Sequence, residues 1–343
     1  MATTEGPRLS SGSAAQYLER LEQAFHEATR RLGAVEEEYV IAGRGVRLRF
    51  AGEALVPFLT PALAHLRTPV GEAAALIVCI WDGIPPAACP WTPDGTFGEA
   101  RTVVDNWHGV EFVAFPHGEE IDALDRGRGV GFHCRATVGP HASLPLLTII
   151  DWWLAERDLH CIHAAAVGLE SGGVLLAGRG GSGKSTTALA CLRSPLRYVG
   201  DDYCVLSVDG APHVHALYSS AKLARSELER LAPGAPPAPC DDKDVVFLHR
   251  AFGEKLLPGF PIRAVLAPRI TGRARTTLAD ISPGEAMKAL APSSLFQLSG
   301  ARQRRLHAIA SLVRTVPCYR LDLGTDLDAI PGVIHDLLSG VGT

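Results

Sequence analysis

Gly178-Arg179-Gly180-Gly181-Ser182-Gly183-Lys184-Ser185 spells G-x-x-x-x-G-K-[ST], and no other feature of the chain restricts its fold so tightly. Glycines let consecutive backbone N–H groups turn inward around an anion. The loop opens a helix, whose N-terminus favours phosphate. The apolar run Val174–Ala177 precedes it, and the helix-forming segment Thr186–Leu192 follows it. Strand, loop and helix at this spacing imply an α/β nucleotide-binding core. In such a loop Gly178 to Thr186 wrap a nucleoside triphosphate, ATP or another NTP. Lys184 reaches the β/γ-phosphates, and the Ser185 hydroxyl completes a Mg²⁺ shell.

Two further features stand near this loop. Asp201-Asp202 follows the short apolar strand Arg197–Gly200. An acid at the end of a neighbouring strand faces phosphates and magnesium in P-loop folds, so this pair can divide labour. One can hold metal, and the other can accept a proton from a hydroxyl nucleophile. Aspartate is also a common turn residue, which is the other reading of the pair. His163 lies on the strand before the loop strand, where a histidine taken by itself is more often structural than functional.

The bulk properties are those of a packed chain. It has 343 residues, 47% hydrophobic and 20% charged, enough for one large domain or two ordinary ones. A net charge of −4 gives no global case for nucleic acid or an anionic membrane. The basic run Arg302–Arg305 reads as a solvated helix face. The eight cysteines show no CxxC pair and read as reduced, buried thiols. MATTEGPRLSSGS lacks the basic and apolar regions of a signal peptide, so a cytoplasmic location is expected. The longest apolar stretch, Leu144–Leu154, is interrupted by Asp151 and is too short to span a bilayer.

Along the chain, residues 1–13 read as a flexible tail. Residues 14–142 read as an α+β N-terminal domain, and 143–343 as the domain carrying the loop. Tyr17, Leu18, Leu21, Phe25 and Ala28 fall at helical spacing. Strands are expected at Glu38–Ala42, Val46–Phe50, Ala74–Ile80, Glu111–Phe115 and Gly129–Thr137, with a helix at Ala54–Leu66 and a loop over 83–96. Beyond residue 143 the pattern gives a helix at Pro145–Asp158 and strands at His160–Gly168, Gly173–Ala177, Arg263–Arg269 and Cys318–Leu323. Closing helices are expected over Gly300–Val313 and Leu327–Leu338.

Taken together, the loop, His163 and Asp201-Asp202 resemble the C-terminal catalytic domain of HPr kinase/phosphorylase. That family has a histidine fifteen residues before the first loop glycine and an Asp-Asp pair beginning seventeen after the loop lysine. His163 and Asp201 stand at those offsets. The stretch HAAAVGLESGGVLLAGRGGSGKSTTALACLRSPLRYVGDD carries the likeness, which is specific over 160–208. The resemblance implies a phosphoenolpyruvate-carboxykinase-like core and an ATP- and Mg²⁺-dependent serine kinase. It implies Asp202 as proton acceptor, Lys184 and His163 as catalytic, and Ser185, Asp201 and Asp202 around the metal. A basic residue from later strands also assists; Arg263 is the nearest fit, with Lys243 and Arg269 as rivals.

There are departures. The family's glycine-rich signature, with a second magnesium-ligating glutamate, is replaced by LYSSAKLARSELERL, where Glu227 lacks the surrounding motif. That puts reversibility, and HPr itself as acceptor, in doubt. The N-terminal half also differs from the family's usual sensor domain. The pattern is closer to divergent relatives that resemble kinases of lasso-peptide precursors, so a peptide or protein serine is the expected acceptor. A catalytically silent nucleotide-binding scaffold and a small-molecule hydroxyl kinase are the alternatives. Members of the family assemble as hexamers, which leaves a homo-oligomer open. A recognition half would use exposed aromatics such as Trp81, Trp91 or Trp107 as anchors, although any one of them is more readily read as a buried core tryptophan.

Overall fold

The computed structural model describes residues 11–84, 86, 102–107, 110–114, 120–136, 143–232, 234–240, 243–298 and 301–340. Its first half is a seven-stranded mixed sheet ordered β1-β2-β3-β7-β6-β5-β4. The strands are β1 (Ala34–Ile41), β2 (Arg44–Ala51), β3 (Ala74–Asp82), β4 (Thr102–Trp107), β5 (Val110–Ala114), β6 (Glu120–Asp125) and β7 (Val130–Arg135). Helix α1 (Ser11–Leu32) lays its apolar stripe on one face of this sheet. Tyr17, Leu18, Leu21, Phe25 and Ala28 are all buried there, as their spacing requires. The helix begins inside the stretch read as a tail, and residues 1–10 lie outside the described residues. Most of the loop expected over 83–96, with Trp91, also lies outside them. Trp107 falls in β4, its side chain undescribed.

This half departs from the sequence reading at two points. The helix at Ala54–Leu66 is broken into α2 (Val56–Leu59) and a 3₁₀ turn at Pro61–Leu66. Pro57 and Pro61 each remove a backbone donor, so one continuous helix cannot run through them. Strands β4 and β6 went unforeseen. Trp81 is 4% exposed and packs against Phe25, in agreement with the core reading of that residue.

Helix α3 (Leu147–Ala155) leads into a nine-stranded mixed sheet. It contains β8 (Leu159–Ile162), β9 (Ala164–Leu169), β10 (Gly172–Ala177), β11 (Arg197–Gly200), β12 (Cys204–Ser207) and β13 (His213–His215). A small three-stranded sheet follows, from β14 (Ser220–Leu223), β15 (Ala238–Cys240) and β16 (Lys243–Phe247). The long β17 (Gly259–Ile270), β18 (Thr277–Asp280) and β19 (Cys318–Leu323) complete the large sheet. Its helices are α4 (Lys184–Cys191), α5 (Arg225–Leu231), α6 (His249–Phe252), α7 (Pro283–Phe296), α8 (Arg302–Thr315) and α9 (Ile330–Ser339).

The central strands are apolar on both faces because both faces are covered. Ala164, Ala166, Leu175 and Ala177 join the core shared with α3, α7, α8 and the N-terminal sheet. Ala165, Val167, Val174 and Leu176 alternate to the other side, under α4 and α9. One core cluster therefore runs continuously from Leu48 and Val78 of the first sheet to Leu290 and Ile309 behind the second. The single strand expected at His160–Gly168 is two strands. β8 pairs with β12, β9 pairs with β10 and β11, and the chain changes neighbours at His163. All six described cysteines with described side chains are buried and free.

Arg305 overturns the reading of Arg302–Arg305 as a solvated face. It is 0% exposed, and its Nη2 donates to both carboxylate oxygens of buried Asp151 at 2.7 Å. Burial still pushes Asp151 up, to about 6, against the pull of Arg305. This pair ties α8 to α3. Arg305→Ala leaves Asp151 buried without its counter-charge and is expected to cost about 3–5 kcal/mol, read from urea unfolding. The double change Arg305→Met with Asp151→Leu is expected to recover most of that loss.

Candidate functional site

Strand register assembles the site. β9 runs antiparallel to β10 with Ala164 opposite Ala177, so His163 arrives beside Gly178 at the start of the loop. β11 is antiparallel to β9 with Gly200 opposite Ala166, so Asp201 and Asp202 emerge at that same end. β17 and β19 lie parallel to β10 and to each other, and their last residues, Ile270 and Leu323, end there too. The glycine-rich loop thus sits at the carboxyl ends of parallel strands, the usual ligand crevice of an open α/β sheet.

The loop's glycines are sterically required at two positions. Gly183 has φ of 102°, and a Cβ there would run into Leu323. Gly181 has φ of 77°, in the left-handed region. The turn closes with Ser182 N donating to Arg179 O at 3.2 Å. Lys184 opens α4 and is 5% exposed. Its ammonium folds back over the loop, donating to Gly178 O at 2.7 Å and Arg179 O at 3.4 Å. Burial lowers its pKa, against the attraction of Asp201 and Asp202.

The two aspartates occupy different environments. Asp201 is 1% exposed, and neither carboxylate oxygen has a hydrogen-bond partner. The Ser185 hydroxyl and the Asp202 backbone N–H are near enough to favour its charged form, but neither closes a hydrogen bond. Burial, then the charge of Asp202, pushes Asp201 up to about 7. Asp202 has φ of 61°, a left-handed conformation that aspartate tolerates. Its carbonyl accepts from Ala164 N at 3.1 Å, which pins the turn. Its carboxylate lies 3.8 Å from His163 Nε2. Burial alone would raise Asp202. His163, Lys184 and Lys222 together outweigh it and hold the carboxyl below the ordinary range.

His163 is fixed from behind. Its backbone N–H donates to Ser294 Oγ of α7 at 3.0 Å, and its ring meets the edge of Tyr203 at 5.4 Å. Tyr203 in turn donates its hydroxyl to Gln297 Oε1 at 3.0 Å.

These groups line one cavity of about 390 Å³. It is bounded by His163, Gly180, Gly181, Gly183, Lys184, Ser185, Thr186 and Asp202. Lys222 and Glu227 line it as well. The sequence left Glu227 without a motif and passed over Lys222, because only the small sheet and α5 bring them here. Asp201 sits beneath, its buried and unpartnered carboxylate beside the Ser185 hydroxyl. That donor set suits a hard, oxygen-seeking cation such as Mg²⁺. Among the described residues no three or more His, Cys, Asp or Glu are grouped so as to hold a metal ion. A cation here would complete its shell with phosphate oxygens and water.

Arg263 is misplaced in the sequence reading. The parallel register sets Ile262 opposite Gly173, so Arg263 lies at the start of β10, about 15 Å along the strand from the loop. Its Nη2 donates to Ser171 O at 2.9 Å instead. Of its rivals, Arg269 reaches the loop end and pairs with Asp322 through two hydrogen bonds of 2.9 Å. Lys243 opens β16, and its side chain lies outside the described residues.

No protein-family model matches the chain, and no curated protein matches it. Among solved structures, the chain is similar to the HPr(Ser) kinase/phosphatase from Coxiella burnetii. The TM-score is 0.28 and the identity 11%, over 53% of this chain and 94% of that one. The chain is a mixed α/β protein with a distant kinase-like neighbour, and its functional reading rests on its own residues. No helix among the described residues is long and apolar enough to cross a membrane.

Proposed function

We propose that the chain is an ATP- and Mg²⁺-dependent kinase that phosphorylates a serine hydroxyl of a peptide or protein. A ribosomally made precursor peptide of the lasso type is the narrowest acceptor class. The observation that carries this reading is the convergence of Lys184, Ser185, Asp202 and His163 on one cavity, with the buried Asp201 carboxylate close to Ser185. A module that only binds nucleotide needs the loop and a metal ligand. It has no use for a second, half-exposed carboxylate held ionised beside a histidine.

The backbone amides of Gly180 to Ser185 and the Lys184 ammonium would hold the β- and γ-phosphates. Ser185 and Asp201 would hold Mg²⁺, which when bound neutralises charge on the phosphate oxygens. Asp202 accepts the proton of the acceptor hydroxyl as its oxygen bonds to the γ-phosphorus. The bond from that phosphorus to the bridging oxygen breaks, and the nucleoside diphosphate leaves. His163 steadies the Asp202 carboxylate. Lys222, in the same cavity, adds positive charge where the transferring group gathers negative charge.

The test is incubation with ATP, Mg²⁺ and serine-containing peptides encoded near the chain's own gene, followed by mass spectrometry. A phosphate-sized mass gain on a serine supports the reading. Tight nucleotide binding without transfer to any of them returns the chain to a regulatory scaffold. Transfer to a small-molecule hydroxyl alone would keep the chemistry and overturn the acceptor.

A further inference from the structure

On the other side of the glycine-rich loop lies a second depression, of about 650 Å³, which the chemistry above does not use. It is an open groove between the carboxyl end of β17 and the flank of α7. Pro268, Ile270, Ala289 and Pro292 give it an apolar floor. Arg179, Arg269, Lys288 and Arg320 put four cations along it. Asp322, hydrogen-bonded to Arg269 and Arg320, and Glu285, within electrostatic reach of Arg320 and Lys288, oppose them in part, but neither lines the groove itself. The groove therefore carries a net positive charge.

Its position relative to the loop matters. The loop lysine reaches the β/γ end of a bound triphosphate. Lys184 folds onto Gly178 and Arg179, the loop residues that begin the groove. The groove thus starts at the transferring end of the nucleotide and leads away from it. Ile270, 66% exposed, borders both depressions and forms the sill between them. Along α7, Ala289, Pro292 and Phe296 fall at i, i+3 and i+7, one stripe of the helix. Phe296, 77% exposed, continues the apolar floor past the groove's far end. From Ala289 to Phe296 the helix rises about 10 Å, room for about three residues of extended chain beyond those beside the loop.

We infer that this groove seats an extended, acidic segment of the acceptor chain, with an apolar residue of that segment resting on Phe296. The inference rests on the kinase reading and adds the acceptor's character: acidic residues flank the serine.

Fluorescence anisotropy with a labelled decapeptide tests it. One probe carries a single serine among Asp and Glu residues with one Leu; the other replaces the acids with Lys. Binding is measured on the full chain with and without ADP and Mg²⁺, and transfer is measured separately with ATP. The acidic peptide is expected to bind, the basic one not to bind, and ADP not to displace it. Lys288→Glu with Arg320→Glu is expected to weaken acidic-peptide binding on the order of tenfold, with ADP affinity unchanged. Phe296→Ala, at an exposed position, should weaken the peptide alone. Equal binding of both peptides, or none, overturns the groove. Displacement by ADP or adenosine overturns it too, by making the depression the nucleoside's seat. Transfer without acidic preference removes the groove and leaves the kinase standing. Selective binding without transfer keeps the groove and removes the kinase.

Discussion

Asp202→Asn is expected to lower turnover by about 10²–10⁴-fold while nucleotide affinity stays within a few-fold. The substitution keeps the size of the side chain and removes its capacity to take a proton. Asp202 is suited to that task at neutral pH because it is ionised there. Burial opposes the charge, but His163, Lys184 and Lys222 overcome it. The phosphates are held elsewhere, by the loop amides and by Lys184, so affinity has no large reason to change. Isothermal titration with a non-hydrolysable triphosphate and single-turnover rates separate the two quantities. Equal losses of binding and rate would make Asp202 a nucleotide-binding residue and not a base. Lys184→Ala supplies the contrast, because its ammonium sits where the terminal phosphates bind and both quantities should fall.

The glycine-rich loop, the strand before it and the helix after it were legible because each is local. The loop's spelling, the apolar run Val174–Ala177 and the onset of α4 at Lys184 lie within about twenty residues. The convergence of His163 and Asp201-Asp202 on the loop depends on two antiparallel registers, and spacing along the chain stood in for them. Arg263 failed for that reason. A strand of twelve residues has two ends about 40 Å apart, and sequence alone did not say which end of β17 meets the loop.

Lys222 and Glu227 were obscured differently, since a small sheet inserted after β13 carries them to the cavity from outside the main sheet. Helix α7 was missed although its start carries a local signal. Ser282-Pro283-Gly284-Glu285 forms a capping box, with Ser282 N donating to Glu285 and Glu285 N donating back to the Ser282 hydroxyl. Pro292 within the helix masked what followed it. Arg305 was read as solvated because a run of arginines is nearly always so. Its partner Asp151 lies 154 residues away, and only the packing of α8 on α3 joins them.

Asp201→Asn is expected to raise the stability of the ligand-free protein at pH 8 while removing most of its stabilisation by Mg²⁺-nucleotide. Asp201 has a folded pKa of about 7 against an ordinary 3.8, through burial and then the charge of Asp202. The folded state therefore holds a proton that the unfolded chain has released across that interval. Ligand-free stability falls as pH rises from about 4 to 7 and levels off above it. Asparagine removes the charge but leaves a buried amide without partners, at about 1–3 kcal/mol. The net change at pH 8 is expected to be a gain, because the uncompensated buried charge costs the folded state more than the amide does. It should shrink toward pH 5, where the folded protein keeps Asp201 protonated and carries no buried charge there. Metal binding runs the other way, because a cation on Asp201 must first expel that proton. Below pH 7 the apparent affinity of the wild-type protein for Mg²⁺-nucleotide should fall by up to about tenfold per pH unit. Thermal melts at pH 5, 6, 7 and 8, with and without Mg²⁺ and ADP, read both effects. A variant destabilised at pH 8 and still protected by Mg²⁺ would show that Asp201 is a structural carboxylate. The opposite pair of results means that the unpartnered, buried charge is kept for the cation it holds, at the expense of the empty protein's stability.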